Sequence, residues 1–144
     1  MWQLIRFKNC GASQEQLLTL YILKIRCLAE FAAPAFHSSL TIEQSNHLEM
    51  IQKKSFAIIL GANYKNYSNA LNILNQVELS TRRIELCTNF AQKCITNSRH
   101  ADLFHKRRIQ STRRSTKYEE IKCKTARYYN SAVPYMTRLL NKLN

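Results

Sequence analysis

The chain has 144 residues, of which 45% are hydrophobic and only two are glycine and two proline, too few turn-formers for an all-β fold. At this length one domain can bury roughly 68–70% of its unfolded surface without disulfide staples. The formal charge of +13 is unevenly placed, with six Lys/Arg against four Asp/Glu in residues 1–60 and sixteen against five in residues 61–144. Such asymmetry points to a polyanionic partner, either nucleic acid or an anionic membrane surface.

In chain order, residues 1–8 read as a short helix with Trp2, Leu4, Ile5 and Phe7 apolar, ending near Gly11. A chain that opens inside a helical pattern is expected to be the tail of something longer. Ser13 then caps a long helix over 14–33, with Gln16 completing the capping box. Thr19, Arg26 and Glu30 share one narrow stripe of that helix. Leu17, Leu18, Tyr21, Ile22, Ile25, Leu28, Ala29 and Ala32 cover the opposite side, flanked by Leu20, Cys27 and Phe31. A helix apolar around most of its circumference is expected at the centre, packed on several sides. Pro34 disfavours the helical conformation at Ala33 and should stop the helix there.

Thr-Ile-Glu-Gln at 41–44 reads as the capping box of a second long helix over 41–60, with Leu48, Ile51, Ser55, Ile58 and Ile59 as its face and Gly61 as its C-cap. The two form a helical hairpin around which shorter helices pack. After a polar loop over 62–67, Ser68 should cap a short helix running through Leu74, and Ser80 the next one. From 81 to 97, Ile84, Cys87, Ala91, Cys94 and Ile95, with Leu86 and Phe90, form a broad apolar face.

Arg82 and Arg83 in the first turn of that helix break a local rule, because cations at a helix N-terminus are disfavoured by roughly 0.3–1 kcal/mol each. Either they pair with Glu78 and Glu85, or they contact a phosphate at the helix start. Beyond Asn97 the character changes. Lys106, Arg107, Arg108, Arg113, Arg114, Lys117, Lys122, Lys124 and Arg127 are nine cations in twenty-two residues, opposed by Glu119 and Glu120 and interleaved with Tyr118, Tyr128 and Tyr129. Cations neutralise phosphates and release counterions, and aromatic faces stack on unpaired bases. The same run also reads as a solvated, partly irregular basic loop. Residues 131–144 close the chain with Val133, Pro134, Tyr135, Met136, Leu139 and Leu140, a short final helix with Pro134 in its first turn, docking back on the core.

The expected organisation is therefore all-α and one domain overall: a helical core over 1–97 built on the hairpin, a basic, partly irregular segment over 98–130, and the terminal helix over 131–144. Five cysteines without a Cys-x-x-Cys pair suit reduced thiols in a reducing, intracellular setting, with nucleus and cytoplasm not distinguished. Cys87 and Cys94, seven apart, read as small core residues. Arg6 directly after Leu4-Ile5 argues against a secretory signal, and Lys24, Arg26 and Glu30 interrupt the first long helix too often for a membrane span.

Catalytic signals are missing. A polymerase palm needs paired aspartates to hold magnesium, and Asp102 is the single aspartate. There is no glycine-rich phosphate loop and no G-x-S-x-G elbow. His100, Asp102 and His105 could be drawn as a metal cluster, yet an i, i+5 spacing sets the imidazoles apart on a helix, unlike the i, i+4 pair of H-E-x-x-H. His37 reads as a packed or capping side chain. No catalytic residue, metal or cofactor is nominated.

Residues 28–41, Leu-Ala-Glu-Phe-Ala-Ala-Pro-Ala-Phe-His-Ser-Ser-Leu-Thr, resemble a signature of jockey-like non-LTR retrotransposon reverse transcriptases, in the helical thumb and C-terminal extension that follow the palm. The likeness continues through Leu-Glu-Met-Ile-Gln-Lys-Lys at 48–54 and Ile-Ile-Leu-Gly at 58–61. Further on, Leu-Ser-Thr-Arg-Arg-Ile-Glu-Leu-Cys at 79–87 is similar to a family helix carrying paired arginines. Arg-Ser-Thr-Lys-Tyr at 114–118, Thr-Ala-Arg-Tyr-Tyr-Asn-Ser-Ala-Val-Pro-Tyr at 125–135 and Leu-Leu-Asn at 139–141 follow in order. Departures are Phe31 and Phe36, where the family often has Tyr and Trp, and the small Ala29. The fingers, the palm and its Tyr-x-Asp-Asp aspartates are not in this chain, so the family's RNA-templated DNA synthesis does not carry over to it alone.

The resemblance implies a non-catalytic, thumb-like piece of an RNA-directed DNA polymerase. Its partners would be RNA or an RNA–DNA duplex, gripped by the phosphate backbone without reading sequence, and the absent fingers and palm. Arg82, Arg83, Lys106, Arg107, Arg108, Arg113, Arg114, Lys117, Tyr118, Lys122, Lys124 and Arg127 are the expected contacts. A decayed retroelement remnant serving only as a helical interaction or structural module is the alternative. A membrane binder ranks last, because the basic run lacks a continuous apolar stripe.

Overall fold

The computed structural model describes residues 1–97, 99–106 and 117–143, and it is all-α. In chain order the elements are α1 (Trp2–Asn9), α2 (Gln14–Leu20), a π-helical stretch (Tyr21–Arg26), α3 (Cys27–Glu30), α4 (Ala33–Phe36), a 3-10 turn (His37–Ser39), α5 (Ile42–Leu60), a second 3-10 turn (Gly61–Asn63), α6 (Tyr67–Ile73), α7 (Leu79–Thr96), a third 3-10 turn (Ala101–Leu103), α8 (Ala126–Tyr129) and α9 (Ala132–Lys142). Among the described residues the β geometry is one isolated antiparallel bridge, Lys106 to Tyr118. No helix among them is long and apolar enough to cross a membrane.

Both capping boxes form as the sequence implies. Gln16 N–H donates to Ser13 Oγ at 3.3 Å while Ser13 N–H donates to Gln16 Oε1 at 2.9 Å. Gln44 N–H and Thr41 N–H make the same reciprocal pair at 3.2 and 3.0 Å. Gly61 ends α5 at φ +56°, and a Cβ there would lie 2.7 Å from Lys8 Nζ. The positive φ is what favours glycine there, while Lys8, whose mobile end could shift, donates to the Ile58 carbonyl in the last turn of α5, a favourable place for a cation.

Three boundaries differ from expectation. The first long helix ends at Glu30, because Phe31 turns to ψ 125° and Ala32 adopts a left-handed φ of 54°. Pro34 therefore sits inside α4 rather than terminating the preceding helix. The cap of α6 is Asn66, whose side chain accepts from Asn69 N–H at 2.7 Å, and not Ser68. Finally, α7 starts at Leu79, one residue before the expected Ser80 cap.

The chain forms two compact units, Met1–Phe31 with Thr41–Arg82, and Ala32–Leu40 with Arg83–Asn144. In the first unit the two long helices of the hairpin share a core of Leu4, Leu17, Tyr21, Phe56, Ile59, Leu60, Ala70 and Leu74. Tyr21 meets Phe56 edge-on at 5.2 Å. Leu17, Tyr21 and Ala29 are buried and Ile25 partly so, a stripe of four-residue steps. Such steps drift by roughly 40° each in an α-helix, and the wider turn of the π stretch offsets that drift. The stripe is narrower than the sequence implied, for Leu28 is 75% and Phe31 77% exposed. On α5 the buried set is Gln52, Ser55, Phe56, Ile59 and Leu60, with Ile51 facing out.

At the middle of that core Gln52 is 1% exposed and fully engaged. It accepts from Tyr21 Oη at 2.7 Å and donates to Tyr67 Oη at 3.0 Å and the Val77 carbonyl at 2.8 Å. A buried amide costs free energy unless every partner is present, and this one has them.

The second unit has its own core of Ala91, Cys94, Phe104, Tyr118, Met136 and Leu140. Helix α9, with Pro134 in its first turn as expected, buries Pro134, Met136, Thr137 and Leu140. It packs on α4 and the turn that follows, where Tyr135 meets His37 edge-on at 5.6 Å.

Candidate nucleic-acid interface

The paired arginines at the start of α7 are used internally. Arg82 pairs not with Glu78 or Glu85 but with Glu30, in a two-point contact of Nε to Oε1 at 2.5 Å and Nη2 to Oε2 at 3.1 Å. Arg26 Nε lies 3.6 Å from the same carboxylate. Arg83 is fully buried, with Nε–H aimed at His37 Nδ1 at 3.4 Å. Burial and the nearby guanidinium lower the His37 pKa from its ordinary 6.5, which keeps the imidazole a neutral acceptor. The helix start is also occupied, since Leu79 and Ser80 N–H donate to the two oxygens of Glu49 at 3.1 and 3.2 Å. A carboxylate thus holds the place considered for a phosphate.

Tyr118 is also packed inside the fold. Expected to offer its ring to unpaired bases, it is 4% exposed in the second core. Its backbone is clamped by Asn141, whose Oδ1 accepts from Tyr118 N–H at 3.0 Å and whose Nδ2 donates to Tyr118 O at 3.1 Å. A single polar side chain on α9 so fixes where this segment docks, and the ring fills the space beneath.

The remaining described cations lie on the surface. The bridge at Lys106 and Tyr118, with Glu119 N–H donating to His105 O at 2.9 Å, brings Lys106 and Lys117 to one place, both exposed. Lys122, Lys124 and Arg127 follow, also exposed. Among the described residues no carboxylate lies within ion-pair distance of these five. Arg107, Arg108, Arg113 and Arg114 lie outside the described residues.

Thr125 caps α8 by accepting from Tyr128 N–H at 3.2 Å, presenting Tyr128 and Tyr129 at 47% and 50% exposure. The sequence reading missed Arg138, whose guanidinium stacks 3.7 Å above the Tyr129 ring and donates to Tyr129 O at 3.0 Å. Its signal was a cation three residues after Tyr135, on the turn of α9 next to that aromatic.

Elsewhere in the second unit an apolar cavity of about 460 Å³ is lined by Pro34, Phe90, Cys94, Leu103, Val133 and Met136 among others. Cys94 is its polarisable member, and burial raises that thiol's pKa. Burial likewise pushes Cys87 up to about 11, so neither is a ready nucleophile at neutral pH. Among the described residues no group of three His, Cys, Asp or Glu side chains is placed to hold a metal.

Comparison with known proteins gives no matching family model, no matching curated protein and no matching solved structure.

Proposed function

We propose that this chain is a non-catalytic, nucleic-acid-binding helical piece of a reverse transcriptase, gripping RNA or an RNA–DNA duplex by its phosphates. One observation carries the reading: the charge segregates with the compact units. The first unit holds eight Lys/Arg against five Asp/Glu, and the second fourteen against four, a balance of +3 against +10. In the first unit Glu30 and Glu49 are committed to Arg82 and to the start of α7. In the second, Lys106, Lys117, Lys122, Lys124 and Arg127 stand exposed. Unneutralised surface cations are what a phosphate backbone exchanges for its counterions. The family assignment itself rests on the ordered likeness of residues 28–141 to jockey-like reverse transcriptases, and the fingers and palm of such a polymerase would be a further partner.

The test is a mobility-shift titration of the purified chain with an RNA–DNA duplex at low salt. Binding that weakens steeply as salt rises supports the reading; no binding at low salt overturns it.

A second reading, a helical protein-interaction module descended from the same element, is favoured by one observation. Leu23, Leu28, Phe31 and Ile42 in the first unit are 64–84% exposed, apolar surface that a protein partner would cover. It gives protein that self-associates in gel filtration and ignores duplexes.

A further inference from the structure

We propose that the surface around Tyr128, Tyr129 and Arg138 binds unpaired nucleotides, taking their bases by stacking on the tyrosine rings while Lys122, Lys124 and Arg127 meet the flanking phosphates. The inference rests on the nucleic-acid reading above and deepens it by naming the strand form engaged at this place.

Two consecutive tyrosines of α8 are about half exposed, although Tyr118, ten residues before Tyr128, is folded into the core. Their platform is pre-set. Thr125 fixes the first turn of α8, and Arg138 reaches back from α9 to bond the Tyr129 carbonyl while lying 3.7 Å over its ring. One face of Tyr129 is thereby covered by a cation and the ring is held still, so a base stacking on it orders little that is not already ordered. The Tyr135 ring centroid lies 5.8 Å from the same guanidinium.

The cleft beside Tyr129 and Arg138 is also lined by Glu120. That cleft is only about 30 Å³, room for a water and not for a base, so a base meets the exposed rings rather than the cleft. Bases inside a duplex are already stacked and cannot reach the rings; unpaired bases can.

The experiment measures fluorescence anisotropy of the full chain with a labelled, unstructured single strand and with an RNA–DNA duplex of equal length. The proteins are the wild type, a Tyr128→Leu/Tyr129→Leu variant and a Tyr128→Phe/Tyr129→Phe variant. The leucine variant should lose about 5- to 100-fold in single-strand affinity, change its duplex affinity by less than about twofold, and keep its slope against salt. The phenylalanine variant, which retains both rings, should bind the single strand within about threefold of the wild type. Equal losses on both nucleic acids, no loss on the single strand, or phenylalanine behaving like leucine would each overturn the stacking site. Duplex binding without any single-strand binding removes this inference and spares the parent reading; binding of neither removes both.

Discussion

Glu49, in the middle of α5, supplies the N-terminal cap of α7: its two carboxylate oxygens accept from Leu79 N–H and Ser80 N–H at 3.1 and 3.2 Å. Tyr67 Oη donates to the same group. Three elements of the first unit therefore meet on one side chain. Glu49→Ala should cost about 2–3 kcal/mol of unfolding free energy, in line with lost hydrogen bonds to a charged group. Glu49→Gln, which keeps one acceptor oxygen, should cost about half as much. Urea denaturation followed by circular dichroism measures both, and equal stability of Glu49→Ala and wild type would contradict the capping role.

Gln52 gives a sharper case. Gln52→Leu conserves volume but leaves the Tyr21 hydroxyl and the Val77 carbonyl without their Gln52 partner, while Tyr67 Oη keeps its bond to Glu49 and loses only the one it accepts. Buried groups left unsatisfied are expensive, so the loss should be about 2–4 kcal/mol. A Gln52→Leu/Tyr21→Phe double variant should recover part of it by removing one orphan.

What the sequence made legible was local. Both capping boxes and the glycine stop at Gly61 were readable because their partners lie within one turn, and the helical class followed from periodicity. The start of α7 was not, since its cap comes from thirty residues upstream. Nor was the burial of Arg83 and Tyr118 against the exposure of Leu28 and Phe31: the hydropathy of a side chain does not say which face of its helix finds a neighbour. For the candidate interface, the cation-rich run was plain in the sequence. That Arg82 pairs with Glu30, that Arg83 and Tyr118 are buried and that Arg138 lies over Tyr129 needed tertiary contacts to see.

Acid should weaken the second unit through His37. Burial and Arg83 lower its folded pKa below the unfolded value of about 6.5. Above that pH both states are neutral and the group contributes nothing. As pH falls through 6.5 the unfolded chain takes up a proton that the folded chain refuses, so stability declines and then levels off once pH is below the folded pKa. Denaturation midpoints between pH 5 and 8 should fall less for His37→Gln than for the wild type. Identical pH profiles would contradict this origin.

Thiol reactivity should sort by environment. Cys10 and Cys27 are exposed, Cys123 is intermediate, and Cys87 and Cys94 are buried with pKa values raised by burial. Brief iodoacetamide treatment of native protein at pH 8, read by peptide mass spectrometry, should label Cys10 and Cys27 first. Cys87 and Cys94 should be spared until denaturant is added, since the thiolate is the reactive form.

The central claim is that exposed cations of the second unit grip phosphates, and the salt dependence of RNA–DNA duplex binding tests it most directly. Each phosphate contact contributes roughly −0.7 to −0.9 to the slope of log K against log salt. Replacing Lys117, Lys122, Lys124 and Arg127 with glutamine should therefore flatten the wild-type slope by about 3. A wild-type chain that binds with no salt dependence, or a fourfold variant whose slope matches the wild type, would contradict the account.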